Sequence, residues 1–232
     1  MWCDKSKGRR PGGRGLTLIE VLISTAIFTV VAASVYLLYI SMLNTYTKGE
    51  LRAEVQQSAR IALAQITQDL RGAGYDPSGA LATVAIGPRT ALRAALPACL
   101  SLVTYGAPGG TEASIQVTYA LSAGAVQRRV DPWNAGSGAF NAGAWTAVAQ
   151  SIESLQFAYY DSEGAVLAPG TEPPAGRCPP SSSGPSPPVN QLSVEQMRRV
   201  RRIEVALRAR ATAPRLTPEL FVLGNDVYLR NR

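Results

Sequence analysis

From Leu16 to Thr47 the chain is apolar on every side of a helical wheel, and Glu20 is its only formal charge. The pattern then narrows without breaking. Leu51, Val55, Ala59, Ala62, Ile66 and Leu70 recur at intervals of three or four, an apolar stripe of helical period. Between them lie Glu50, Arg52, Glu54, Gln56, Gln57, Arg60, Gln65, Gln68 and Asp69, which suit a wet opposite face. No proline falls between Pro11 and Pro77, and Gly72, Gly74 and the turn-prone pair Asp76-Pro77 supply a stop. This spacing predicts one helix over 16–71, roughly 84 Å long at 1.5 Å per residue. Its first half is long enough to cross a bilayer, which takes about 20 residues, and too long for the apolar core of a secretory signal peptide. The second half is amphipathic and needs a body to pack against.

Beyond about residue 82 the period shortens to two. Ser101 to Tyr105 reads as a strand, and so does Ser114 to Leu121, with Ile115, Val117, Tyr119 and Leu121 on one face. Ser122-Ala123-Gly124 reads as a hairpin turn into Ala125 to Val130. Ser151 to Tyr160 forms a further strand, closed by the turn Asp161 to Gly164. Arg202 to Arg210 alternates with Ile203, Val205, Leu207 and Ala209 inward, and Asp226 to Arg230 is a short closing piece. The expected class is α+β, a long N-terminal helix packed on an antiparallel sheet. Eight of the 16 prolines fall within 169–188, so 168–192 is expected to be a Pro/Ser-rich loop between strands.

Charge sharpens the picture at the N-terminus. Lys5, Lys7, Arg9, Arg10 and Arg14, opposed only by Asp4, precede the apolar run. Positive charge stays cytoplasmic, so the bulk of the chain is expected on the outer side of the membrane. Setting aside those first fifteen residues lowers the formal charge from +7 to +3, so the basic balance is weak evidence for a nucleic-acid partner. Six arginines between Arg198 and Arg210 could form a basic stripe. Alternation instead sends Arg202, Arg208 and Arg210 to an ordinary solvated strand face, where an acidic partner subunit is the other reading.

The chain has no histidine, which removes His-based nucleophilic catalysis and His-ligated zinc. No phosphate loop, paired catalytic carboxylates or metal-ligand cluster stands out, so no enzyme activity and no cofactor are expected. Of three cysteines, Cys3 lies in the leader. Outside the cytoplasm Cys99 and Cys178 can close a loop of roughly 80 residues, worth on the order of 4 kcal/mol. The alternative is two unpaired thiols, and their Cα separation decides between them.

Glu20 stands where a charge is costly, about 2.5–3.5 kcal/mol at mid-membrane and less near the interface. Thr17-x-x-Glu20 is also a capping box, and a carboxylate in the first turn complements the helix dipole. The whole run Gly15-Leu16-Thr17-Leu18-Ile19-Glu20-Val21-Leu22-Ile23, behind a basic leader, resembles the type IV prepilin signal shared by type IV pilins and the pseudopilins of type II secretion. The resemblance implies cleavage by prepilin peptidase between Gly15 and Leu16, N-methylation of Leu16, and neutralisation of the Leu16 amine by Glu20 of a neighbouring subunit. The implied division is a cytoplasmic leader over 1–15, a transmembrane and polymerisation segment over 16–47, an amphipathic half-helix over 48–72, and a pilin-like sheet domain over 82–232.

The body is similar to PilW-type minor pilins, through Gln68 to Tyr75, Thr118-Tyr119 with Arg128-Arg129, Ser154 to Tyr160, and Val200 to Arg210. The minor pseudopilin J of type II secretion shares much of this layout. Implied partners are other minor and major pilins or pseudopilins, prepilin peptidase, the inner-membrane assembly platform and the lipid bilayer. The implied location is the bacterial inner membrane, single-pass with the N-terminus cytoplasmic, and then the fibre. Rival readings are a single-pass anchored ligand-binding protein, a DNA-uptake pilin, and a secreted protein cut by signal peptidase near Ala32-Ala33.

Overall fold

The computed structural model describes residues 17–84, 90–106, 112–168, 192–212 and 218–230. The chain divides into two compact units at Lys48/Gly49. Helix α1 (Leu18–Arg71) runs through that division as 54 consecutive helical residues.

In the first unit α1 is exposed along its whole length, with Leu18, Phe28, Leu38 and Met42 each 70% or more open. An isolated helix of this composition has no core of its own. A window of mean hydropathy 2.3 makes it long and apolar enough to cross a membrane. Five of its hydroxyls bond back onto the helix. Thr25, Thr29, Ser34, Thr45 and Thr47 each donate to the carbonyl four residues earlier, at 2.7–3.0 Å.

The second unit is built on the amphipathic half of α1. Short helix α2 (Ala80–Thr83) follows, then β1 (Leu92–Ala95), β2 (Cys99–Gly106), β3 (Ala113–Ser122), β4 (Ala125–Asn134), β5 (Ala139–Phe140), β6 (Trp145–Ala149) and β7 (Ile152–Tyr160). Helix α3 (Val194–Arg199), β8 (Arg202–Ala211) and β9 (Glu219–Tyr228) complete the described chain. The antiparallel architecture is as expected, but the strands divide between two sheets. One has six strands in the order β1-β2-β3-β4-β5, with β6 also on β4; the other is β7-β8-β9. The predicted helical stripe is the face that packs. Val55, Ala59, Ala62, Ile66 and Leu70 join Leu100, Leu102, Val117, Tyr119, Ile203, Val205 and Leu207 in one buried cluster. Both sheets therefore close on the same helix face.

Polar contacts fix the helix against them. Asp69 Oδ2 accepts from Tyr119 Oη at 2.5 Å and from Arg128 Nε at 3.0 Å, and the three side chains are largely buried. Burial, reinforced by the Asp69 charge, pushes the Tyr119 hydroxyl far above its ordinary range. Burial alone would lower the Arg128 guanidinium, and the Asp69 carboxylate outweighs it, so the net shift is upward. Asn225 of β9 donates to Thr67 at 3.0 Å. The Gly74 amide donates to Val103 at 2.8 Å, and a Cβ on Gly72 would collide with Thr104 Oγ1, so the stop after α1 needs that glycine for close approach to β2.

The β3–β4 hairpin closes through Ala123 and Gly124, both at positive φ (50° and 73°), as a two-residue turn of the primed kind. An alanine there carries a left-handed penalty of about 1 kcal/mol. Ala123→Asn is expected to raise the melting temperature of the full chain by roughly 2–4 °C. Calorimetry showing a lower melting temperature would overturn that assignment.

Candidate functional site

Gly15 and Leu16 lie outside the described residues. The first described turn places Thr17 just ahead of α1. Its carbonyl accepts from the Glu20 amide at 3.1 Å and its hydroxyl sits at 3.4 Å from the same nitrogen. The side-chain half of the capping box is therefore present but long. Glu20 itself is exposed, and its carboxylate has no ion-pair partner among the described residues. A charge at the apolar end of a membrane-length helix, without an ion-pair partner among the described residues, can be completed by a cation from another molecule.

Among its described residues the head shows no comparable focus of chemistry. Among the described residues no group of three or more His, Cys, Asp or Glu could hold a metal ion. Asp161 closes its turn by accepting from the Glu163 and Ala165 amides at 3.0 and 2.9 Å, and pairs with Arg199 at 3.1 Å. Chiefly the Ala165 amide, with Glu163 and Arg199, holds this carboxyl below its usual range. Asp131 is likewise committed, to Arg129 at 2.8 Å and to the Gly143 amide at 2.9 Å.

The expected arginine stripe is broken up. Arg198 and Arg199 belong to α3, not to a strand, and pair with Glu195 and Asp161. The reason is local: Ser193 and Gln196 form a reciprocal capping box that starts a helix just ahead of the strand. Arg202 lies 3.8 Å over the Tyr160 ring and pairs with Asp226 at 3.0 Å. Arg201, Arg208 and Arg210 remain exposed without a charged partner among the described residues. The aromatics are structural: Trp133 meets Phe140 edge-on, Trp145 lies under Arg129, and Tyr159 is buried with its hydroxyl on Leu96 O at 2.8 Å.

Cys99 opens β2, is buried beside Ala94, Leu96 and Ala120, and is disulfide-bonded. Cys178, its expected partner, lies outside the described residues, as does most of the expected loop 168–192. Two of the features that the residue pattern did not reveal bear on the contacts of the head. One is the Asp69–Tyr119–Arg128 contact, whose members lie up to 59 positions apart. The other is the length of the last strand, which begins at Glu219 rather than Asp226. The run Glu219-Leu220-Phe221-Val222-Leu223 carries strand propensity and could have signalled it.

Residues 10–36 match the family described as the prokaryotic N-terminal methylation motif. No curated protein matches the chain. On an apolar N-terminal helix that enters an α+β head, the motif supports a type IV pilin- or pseudopilin-like protein. The motif implies pilin or pseudopilin partners in general, and the apolar helix is consistent with a membrane anchor. The role of that family is structural rather than enzymatic.

Proposed function

We propose that this chain is a minor type IV pilin of the PilW type, a structural subunit that helps to initiate or cap pilus assembly. The observation that carries the reading is Glu20: it stands within the matched motif at the start of an uninterrupted apolar helix, with no ion-pair partner among the described residues. Prepilin peptidase cuts between Gly15 and Leu16 on the cytoplasmic side, leaving the head outside the inner membrane. The methylated Leu16 amine of one subunit then meets Glu20 of its neighbour. A mature chain beginning at Leu16 has two costly charges, an amine and an acid one turn apart. Axially offset stacking cancels both, and a buried pair of this kind fixes register. A head of this size, with an extra Pro/Ser-rich insertion at 168–192, suits a subunit present in few copies. Each repeat of a crowded shaft would otherwise have to accommodate it. In the oxidising space outside the membrane Cys99 pairs with Cys178.

Mass spectrometry of the membrane-extracted protein tests the reading. The expected N-terminus is methyl-Leu16; an intact Met1, or a start near Ser34, would overturn it. Glu20→Ala is expected to insert normally and yet be depleted from sheared fibres by more than tenfold, since an unpartnered buried amine costs roughly 3–5 kcal/mol. Fibre incorporation equal to that of the unaltered chain would remove the role given to Glu20. Recovery in a secretion pseudopilus instead of a pilus would assign the chain as a minor pseudopilin.

A further inference from the structure

Strand β9 pairs with β8 through ten consecutive residues, from Arg202↔Tyr228 to Ala211↔Glu219, without a bulge. It is an edge strand, and among the described residues no strand pairs with its other side. The ladder's phase identifies which backbone groups are open. Leu229 N donates to Arg201 O at 2.9 Å, and Arg210 N points the other way, to Ser151 O at 2.8 Å. Antiparallel alternation then bonds the odd-numbered residues of β9 to β8, and turns the N–H and C=O of Leu220, Val222, Gly224 and Asp226 to the open edge.

Natural edge strands are guarded by proline, lysine, bulges or short length. None of these occurs in β9. Its outward side chains do not shield it either. Leu220 and Val222 are 54% and 70% exposed, and Gly224 has no side chain. Opposite Leu220 and Val222 in the register stand Arg210 and Arg208, both exposed and without a charged partner among the described residues. At the other end of the face Arg202, Asp226, Tyr160 and Glu204 satisfy one another. The surface thus combines open main-chain hydrogen-bonding groups, an apolar pair and uncompensated positive charge at one end.

We propose that the open edge of β9 receives an extended segment of another subunit, acidic residues alternating with apolar ones, as a fourth strand of the β7-β8-β9 sheet. That the donor is a fibre subunit rests on the function proposed above; the recognition chemistry does not. Main-chain bonds to Val222 and Gly224 supply the attachment, as in strand addition generally. The added strand lies about 10 Å from β8, two strand spacings away, a gap that an arginine and a glutamate can bridge together. The arginine stems cross Leu220 and Val222 and bury that apolar area as they reach the acid. A nucleic-acid backbone would use the two arginines and leave the strand edge and the apolar pair idle.

The test uses the full chain in neutral detergent micelles, with amide exchange read at Val222 and Gly224. The probes are a synthetic peptide of alternating Glu and Val, and its Lys-Val counterpart. The Glu-Val peptide is expected to slow exchange at both amides at least tenfold, less so in high salt, and the Lys-Val peptide to leave them unchanged. Val222→Pro removes only an outward N–H and is expected to abolish the protection while β8–β9 amides stay slow. Arg208→Glu with Arg210→Glu leaves the ladder intact and is expected to transfer the preference to the Lys-Val peptide. Equal protection by both peptides, or none by the acidic one, overturns the proposal. So does protection by phosphatidylglycerol nanodiscs alone that survives Val222→Pro, since the patch would then be a lipid contact. Either outcome leaves processing at Leu16 untouched, so it is distinguishable from failure of the pilin reading.

Discussion

Gly15→Ala is expected to leave the basic leader attached to essentially all of the membrane-extracted protein. A peptidase that cuts just outside an apolar helix must bring its catalytic groups against the backbone at the scissile bond, and a glycine on the leaving side admits that approach. The consequence for assembly is larger than one added methyl group. With the leader retained, Leu16 has no free amine, and five cations stand ahead of the helix start. Glu20 then has no counter-charge within a fibre, and burying it alone would cost several kcal/mol. Intact mass and fibre yield report the two steps separately. Efficient removal of the leader from the variant would show that this site is not read as a prepilin signal.

The second large effect lies in the head. Asp69→Ala removes the acceptor shared by Tyr119 and Arg128: the Tyr119 hydroxyl proton loses its acceptor, and the Arg128 guanidinium loses its counter-charge and keeps the 3.1 Å bond from Nε to Tyr119 Oη. Breaking a buried pair by deleting one member costs about 3–5 kcal/mol. The Arg128 side chain is still 23% open to solvent, so roughly 2–4 kcal/mol is expected here. For a unit of this size that lowers the melting temperature by roughly 5–15 °C. Asp69→Asn keeps one acceptor for the Tyr119 hydroxyl and is expected to lose about half as much. Near-ultraviolet circular dichroism of the full chain during heating follows the change through Tyr119. A shift within 1 °C for Asp69→Ala would show that the helix end is held by apolar packing alone.

What the sequence revealed follows from which elements are buried on one side only. Helix α1, β7 and β8 each have a wet face and a dry face, so their periods of 3.6 and 2 stand out. Strand β3 is buried from Ser114 to Ala120 and was legible instead because Ser114, Gln116 and Thr118 alternate with its apolar residues. Strand β1 is buried at all four positions, Arg93 included, and Leu92-Arg93-Ala94-Ala95 shows no alternation to read. Strand β6 opens with Trp145 and is rich in alanine, so its fit depends on Arg129 and the β4 edge rather than on its own pattern. The separation into two sheets was hidden for another reason. β7 finds β8 across more than forty positions, and nothing local to either strand states which neighbour it takes. The motif around Glu20 was legible because it rests on a contiguous run. The open edge of β9 was not, because an exposed strand flank exists only once its other flank has been paired.

The hydroxyl groups of Thr25, Thr29, Ser34, Thr45 and Thr47 spend their hydrogen bonds on their own helix. These five groups ask nothing polar of whatever surrounds the helix. Moving them from hydrocarbon into a bundle of similar helices would leave their own hydrogen bonds as they were. At these positions lipid and protein neighbours are nearly interchangeable solvents.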